Sequence, residues 1–169
     1  MGQSGRYERG VLTASFGMSL HLKIAPAFAY AGSLLFDLAA GARVERHHFV
    51  EGARDVTRLI VVHFEVFLPG VDDHYRYALR DPAVLAGERY GRSAELLDVA
   101  AGRAAAPLAE MARTATFLAS KGFRCSGRHA VARYARIVGD DRRGEILIFY
   151  HEVGGRLEGI FDRATMVLQ

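Results

Sequence analysis

Thr57–Leu68, TRLIVVHFEVFL, alternates more cleanly than any other stretch of the chain. Ile60, Val62, Phe64, Val66 and Leu68 share one parity and are all apolar. Leu59, Val61, His63, Glu65 and Phe67 share the other. Successive strand side chains point to opposite faces, so this pattern reads as a strand with a core behind it. The second face carries two polar groups among apolar ones, which suits a partly polar cavity or an interface. Pro69-Gly70 ends the strand as a turn.

Further strands are predicted on both sides. Leu12, Ala14, Phe16, Met18, Leu20, Leu22 and Ile24 hold one parity without interruption, which reads as a single long strand bent at Gly17. Tyr30–Leu38 and Arg43–Val50 follow. After the middle of the chain come His129–Val138, Glu145–Val153 and Leu157–Leu168, with Gly154-Gly155 as a tight hairpin between the last two. The middle itself reads as helical. Asp81-Pro82 resembles an N-cap followed by proline at the first helical position. Ser93 opens a second helical stretch carrying Leu96, Leu97, Val99 and Ala100. Pro107 kinks it or begins another helix, along which Leu108, Met111, Ala112, Ala115 and Leu118 fall at helical spacing. Gly122 after Lys121 is a C-cap signal.

Strands, then helices, then strands, with no regular βα alternation, exclude a doubly wound sheet. The expected fold is α+β: a single domain with a curved antiparallel sheet or open barrel, and helices over about residues 82–121 packed across it. Residues 1–10 are expected as a flexible lead-in and 11–169 as the domain. With 169 residues, folding hides roughly 70% of the extended chain's surface, enough for a substantial core.

Composition narrows the function. Half of the residues are hydrophobic and 24% are charged, which excludes a disordered chain. Lys and Arg total 22 against 19 Asp and Glu, a small excess. The stretch Arg103–Arg136 concentrates it: Arg103, Arg113, Lys121, Arg124, Arg128, Arg133 and Arg136 stand against Glu110 alone. That is the one candidate nucleic-acid surface, but no reader motif or aromatic spacing accompanies it. Ile24–Ala42 is the most apolar long segment, and Pro26, Gly32 and Asp37 interrupt it, so no membrane partner is expected. No export signal is read, and a cytoplasmic location is expected. Cys125 is the single cysteine, which excludes an intrachain disulfide.

Phosphate-binding loops, dinucleotide fingerprints, zinc-protease motifs and serine-hydrolase elbows are missing, so no cofactor is called for. What remains is a constellation of histidines and carboxylates. His63 and Glu65, two apart in a strand, emerge from one face as a minimal acid–base pair. His151 shares a parity with Leu147 and Phe149, and it converges with His63 and Glu65 if the two strands are neighbours. In that reading His63 is the base, Glu65 its orienter and His151 the acid or oxyanion donor. Tyr134, Tyr150 and Phe67 are candidate ligand contacts. Asp72, Asp73 and His74, with His47 or His48, are of metal-ligating type, although adjacent His47 and His48 point to opposite faces. No metal is assigned. Lys121, Arg124 and Arg128 would lower the thiol pKa of Cys125 if they surround it in space.

The expected function is therefore binding of a small apolar or aromatic molecule, with cofactor-independent isomerase, cyclase or dehydratase chemistry by histidine–carboxylate proton transfer. The alternatives are a non-catalytic homodimeric interaction module and, last, a nucleic-acid binder.

Overall fold

The computed structural model describes residues 5–99 and 106–169. The strands are β1 (Arg6–Glu8), β2 (Val11–Thr13), β3 (Ser19–His21), β4 (Ala29–Asp37), β5 (Ala42–Glu51), β6 (Arg58–Phe67), β7 (Ala83–Leu85), β8 (Glu88–Asp98), β9 (Arg128–Val138) and β10 (Gly144–Val153). The helices are α1 (Ala106–Ser120) and α2 (Ile160–Val167). Seven strands form one antiparallel sheet in the order β4-β5-β6-β10-β9-β8-β7, and β1-β2-β3 form a smaller one. The fold is α+β, as its alternation implied.

β6 lies inside the large sheet, between β5 and β10, and its two parities face different layers. Ile60, Val62 and Phe64 join Ile146, Ile148 and Tyr150 of β10 in the larger core. Leu12 and Leu20 of the small sheet and Ile160, Ala164 and Val167 of α2 cover that side. Leu59 and Val61 face the other way, against Met111 and Leu118 of α1 and the Cys125 side chain. The His63 face is thus roofed by a helix of the same chain.

Several predicted elements are revised. The long first strand is a hairpin, β2–β3, reversed through Ala14–Met18, where Gly17 takes φ +92°. The register pairs Leu12 with Leu20, so residues of one parity stay on one face across the turn. The period of two survives the reversal and hides it. Residues 82–98 are not helical: β7 and β8 form a hairpin about Ala86-Gly87, both at positive φ, the pairing a two-residue turn needs. Asp81, read as an N-cap, takes φ +44° and accepts Arg92 instead. The helix is confined to α1, with Pro107 in its first turn and Gly122, at φ +89°, just beyond its end. The strand predicted over Leu157–Leu168 is α2, whose buried Ile160, Ala164 and Val167 fall at i, i+4 and i+7. Within the lead-in, Arg6–Glu8 pair with β2; residues 1–4 lie outside the described residues. Among those described, no helix is long and apolar enough to cross a membrane.

Candidate functional site

A cavity of about 530 Å³ separates the α1 face of the sheet from the helix. The register of the central strands decides what enters it. On β5, Arg46 pairs with His63 of β6. On β10, Glu145 pairs with Glu65 and Leu147 with His63. On β9, Arg133 pairs with Phe149 of β10 and with Ser93 of β8. All of these side chains line the cavity, together with His151 and, from the roof, Glu110, Met111 and Thr114. Exposed Ser93 and Glu95 on β8 mark its mouth.

His63 is fully enclosed and bonded on both ring nitrogens. Arg46 Nε donates to its Nδ1 at 3.1 Å. A guanidinium only donates, so Nδ1 accepts and the imidazole proton resides on Nε2. Nε2 in turn meets Glu65 Oε2 at 2.8 Å. The second Glu65 oxygen accepts the Tyr75 hydroxyl at 2.6 Å. Burial pushes the Glu65 pKa up, but the bonds from His63 and Tyr75 outweigh it, and the net shift is downward. Burial likewise pushes His63 down, against the pull of Glu65. The result is a neutral imidazole holding an ionised carboxylate.

Arg46 anchors this relay to the roof. Its Nη1 donates to the Glu110 carbonyl at 2.8 Å and to Thr114 Oγ1 at 3.2 Å, and its Nη2 pairs with the Glu110 carboxylate. A guanidinium with 3% residual exposure needs such a set of acceptors to be tolerated inside a fold.

Glu145 sits opposite Glu65 on the same sheet face and is buried. Burial raises its carboxyl pKa, and the neighbouring Glu65 charge adds to that. The Tyr77 hydroxyl faces it and works against the rise, though without the geometry of a full hydrogen bond. Tyr75 and Tyr77 come from the connection between β6 and β7. Arg143 clamps that segment by donating to the carbonyls of Phe67, Leu68, Val71 and Asp73. The two carboxyl groups therefore have environments that drive their pKa values apart.

His151 lines the same cavity but makes no bond to His63. It lies four residues beyond Leu147, the partner of His63, which is roughly 13 Å along the strand. Its Nδ1 is 3.4 Å from Nδ1 of His129, whose Nε2 donates to the Ser126 carbonyl at 3.3 Å. With His129 protonated on Nε2, His151 carries its proton on Nδ1 and presents an unprotonated Nε2. Burial, then His129, depress the His151 pKa to about 3.

Comparison with family models, curated proteins and solved structures returns no match.

Other predicted site residues lie elsewhere. Tyr134 and Tyr150 belong to the larger core on the opposite sheet face, Tyr150 bonded to Glu152 at 2.7 Å. Their parity on β9 and β10 turns them away from the cavity. Phe67 shares the His63 parity but stacks on Tyr75, with ring centroids 4.9 Å apart. His47 faces the larger core, near Tyr30 and Glu45, while His48 faces α1 through Thr114. His74 is exposed and bonded to Arg76, and Asp73 accepts the amide of His74, the next residue. Among the described residues no three His, Cys, Asp or Glu side chains gather as a metal site. Cys125 is buried, and burial pushes its thiol up to about 11, the reverse of the activation its basic neighbours suggested. The cations of the Arg103–Arg136 stretch are dispersed: Arg124 pairs with Asp55 and Arg136 with Glu88, while Arg133 enters the cavity. Arg103 lies outside the described residues.

Sequence reasoning passed over Arg46, Glu110, Thr114, Arg133 and Glu145. Only Glu145 left a direct signal, since it shares the parity of Leu147, Phe149 and His151.

Proposed function

We propose that the cavity binds a small, largely apolar molecule with an acidified C–H bond and moves a proton within it, without a cofactor. Isomerases, dehydratases and cyclases share this elementary step. The observation that carries the reading is the Arg46–His63–Glu65–Tyr75 relay ending beside Glu145. It holds one carboxylate ionised and leaves a second, facing it, inclined to keep its proton. Two carboxyl groups tuned in opposite directions are the requirement for paired base and acid catalysis.

In this mechanism Glu65 is the base and His63 its positioning residue, because both imidazole nitrogens are already engaged. The substrate C–H bond breaks and its proton passes to Glu65. The electron pair moves onto the adjacent carbonyl oxygen, which takes the proton of Glu145. Return of the two protons, at the same carbon or another, completes an isomerisation; where a β-hydroxyl takes the proton from Glu65 and leaves as water while the enol oxygen returns its proton to Glu145, the same pair completes a dehydration. Leu97, Val131, Leu147 and Phe149 supply an apolar wall that keeps water from competing. His151, with its unprotonated Nε2, is placed to accept a substrate hydroxyl at the other end.

Deuterium wash-in from heavy water, followed by proton NMR across a panel of enolisable ketones and oxo acids, tests this. We expect exchange above the buffer rate for the wild type and a loss of about a thousandfold or more in Glu65→Gln, with the melting transition retained. Wild-type exchange at the buffer rate throughout the panel, or full exchange by Glu65→Gln, overturns the assignment.

A further inference from the structure

Among the described residues, the partly buried arginines follow a rule with one exception. Arg43 pairs with Asp37, Arg46 with Glu110, Arg58 with Glu51, Arg92 with Asp81, Arg136 with Glu88 and Arg163 with Glu152. Arg143 is held by four backbone carbonyls. Arg133 is also partly buried, lines the cavity, and has no hydrogen bond or ion pair among the described residues. Residues 1–4 and 100–109 contain no Asp or Glu, so no carboxylate from those segments serves it. None of its side-chain nitrogens is both buried and unpaired, so its unused donors face the water of the cavity, where an anion can take them up.

We infer that Arg133 is the anchor for a carboxylate on the substrate, so that the cavity takes small monocarboxylates with an apolar body. This rests on the proton-transfer reading only for which end of the molecule reacts. The position suits the chemistry. Arg133 stands next to Ser93 at the mouth, where a charged head stays close to solvent. Phe149, its partner on β10, begins the apolar wall, and Glu145 lies four residues further along that strand. The Arg133 charge acts on both Glu145 and Tyr77. A bound carboxylate that neutralises it removes a pull that favours ionised Glu145, which leaves that group better suited to donate.

Charge selects the carboxylate over a phosphate. Four glutamates, Glu65, Glu95, Glu110 and Glu145, and two arginines, Arg46 and Arg133, line the space. Arg46 is already committed to Glu110. One free guanidinium among these carboxylates balances a single negative charge and not two. The planar fork of arginine also matches a carboxylate in two parallel bonds.

The test uses phenylpyruvate, its neutral analogue benzyl methyl ketone and the cation phenethylamine, titrated by calorimetry into the wild type and into Arg133→Gln, Arg133→Lys and Glu65→Gln. Wild type is expected to bind phenylpyruvate at least about tenfold more tightly than the ketone. Arg133→Gln erases that preference, Arg133→Lys keeps part of it, and Glu65→Gln keeps all of it. Arg133 bonds nothing among the described residues, so its replacement leaves the fold intact, which circular dichroism verifies. Equal or tighter binding of the ketone, tightest binding of the amine, an unchanged preference in Arg133→Gln, or no binding of any of the three overturns the anchor. Deuterium exchange at the phenylpyruvate methylene separates the two readings. Carboxylate preference through Arg133 without exchange sinks the proton transfer and leaves the anchor standing. Exchange whose KM is the same in Arg133→Gln sinks the anchor alone.

Discussion

With the Arg46 Nε–H directed at Nδ1 of His63 and the remaining imidazole proton directed at Glu65, each residue of the relay has its own measurable signature. Removing the Tyr75 hydroxyl takes away a donor that favours ionised Glu65. Tyr75→Phe is therefore expected to raise the Glu65 pKa, read by carbon-NMR titration of that carboxyl group. An unchanged titration would show that Tyr75 does not tune it. Arg46→Ala leaves His63, Thr114 and the Glu110 carboxylate without their shared donor. Because Glu110 retains partial solvent contact, the cost is expected near the lower end for broken buried pairs, about 3 kcal/mol by urea unfolding. A loss below 1 kcal/mol would mean that water replaces the guanidinium at little cost.

The two helices divide the molecule between stability and binding. Leu118 of α1 and Ile160 of α2 are both fully buried, one under the cavity roof and one in the larger core. Truncation of either to alanine is expected to cost about 3 kcal/mol. Only Leu118→Ala should also weaken phenylpyruvate binding, because α1 alone supplies Glu110, Met111 and Thr114 to the cavity; equal effects of both on binding would refute the division. The same elements show what could be read without a structure. β5, β6, β9 and β10 were legible because their alternation is intact over about ten residues. The hairpin β2–β3 was not, because its register preserves parity through the turn. β8 was mistaken for helix because Leu96, Leu97 and Val99 are spaced as a helical stripe, yet Leu96 is exposed and Leu97 faces inward. The site was half legible for a related reason. Parity placed His63 and Glu65 on one face, whereas Arg46 and Arg133 join them only through strand register, a long-range property that no local pattern contains.

For the molecule as a whole, neutral buried histidines set the acid limit of stability. Burial lowers the pKa of His47 to about 4 and of His48 and His151 to about 3, and also depresses His63 and His129. In the unfolded chain these groups titrate near their ordinary value of about 6.5. Between the two values the unfolded state binds more protons, so their contribution is complete above about pH 6.5 and is lost as pH falls. Each such histidine removes roughly 1.4 kcal/mol per pH unit in that window. We expect cooperative unfolding on acidification between about pH 6 and pH 4, followed by circular dichroism; a native spectrum retained at pH 3 would contradict this. A different consequence follows from the path of the chain around the roof. Asp98 at the end of β8 pairs directly with Arg128 at the start of β9, so everything between them, α1 included, is an excursion from a hairpin that is already closed. Changes in that excursion that keep the packing of Met111 and Leu118 and the Glu110 and Thr114 bonds to Arg46 are expected to leave the strand pairing beneath it undisturbed. Selectivity for the apolar body of a guest is thus adjustable at roof positions other than Glu110 and Thr114, which hold Arg46, while the floor keeps its carboxylates and arginines in register.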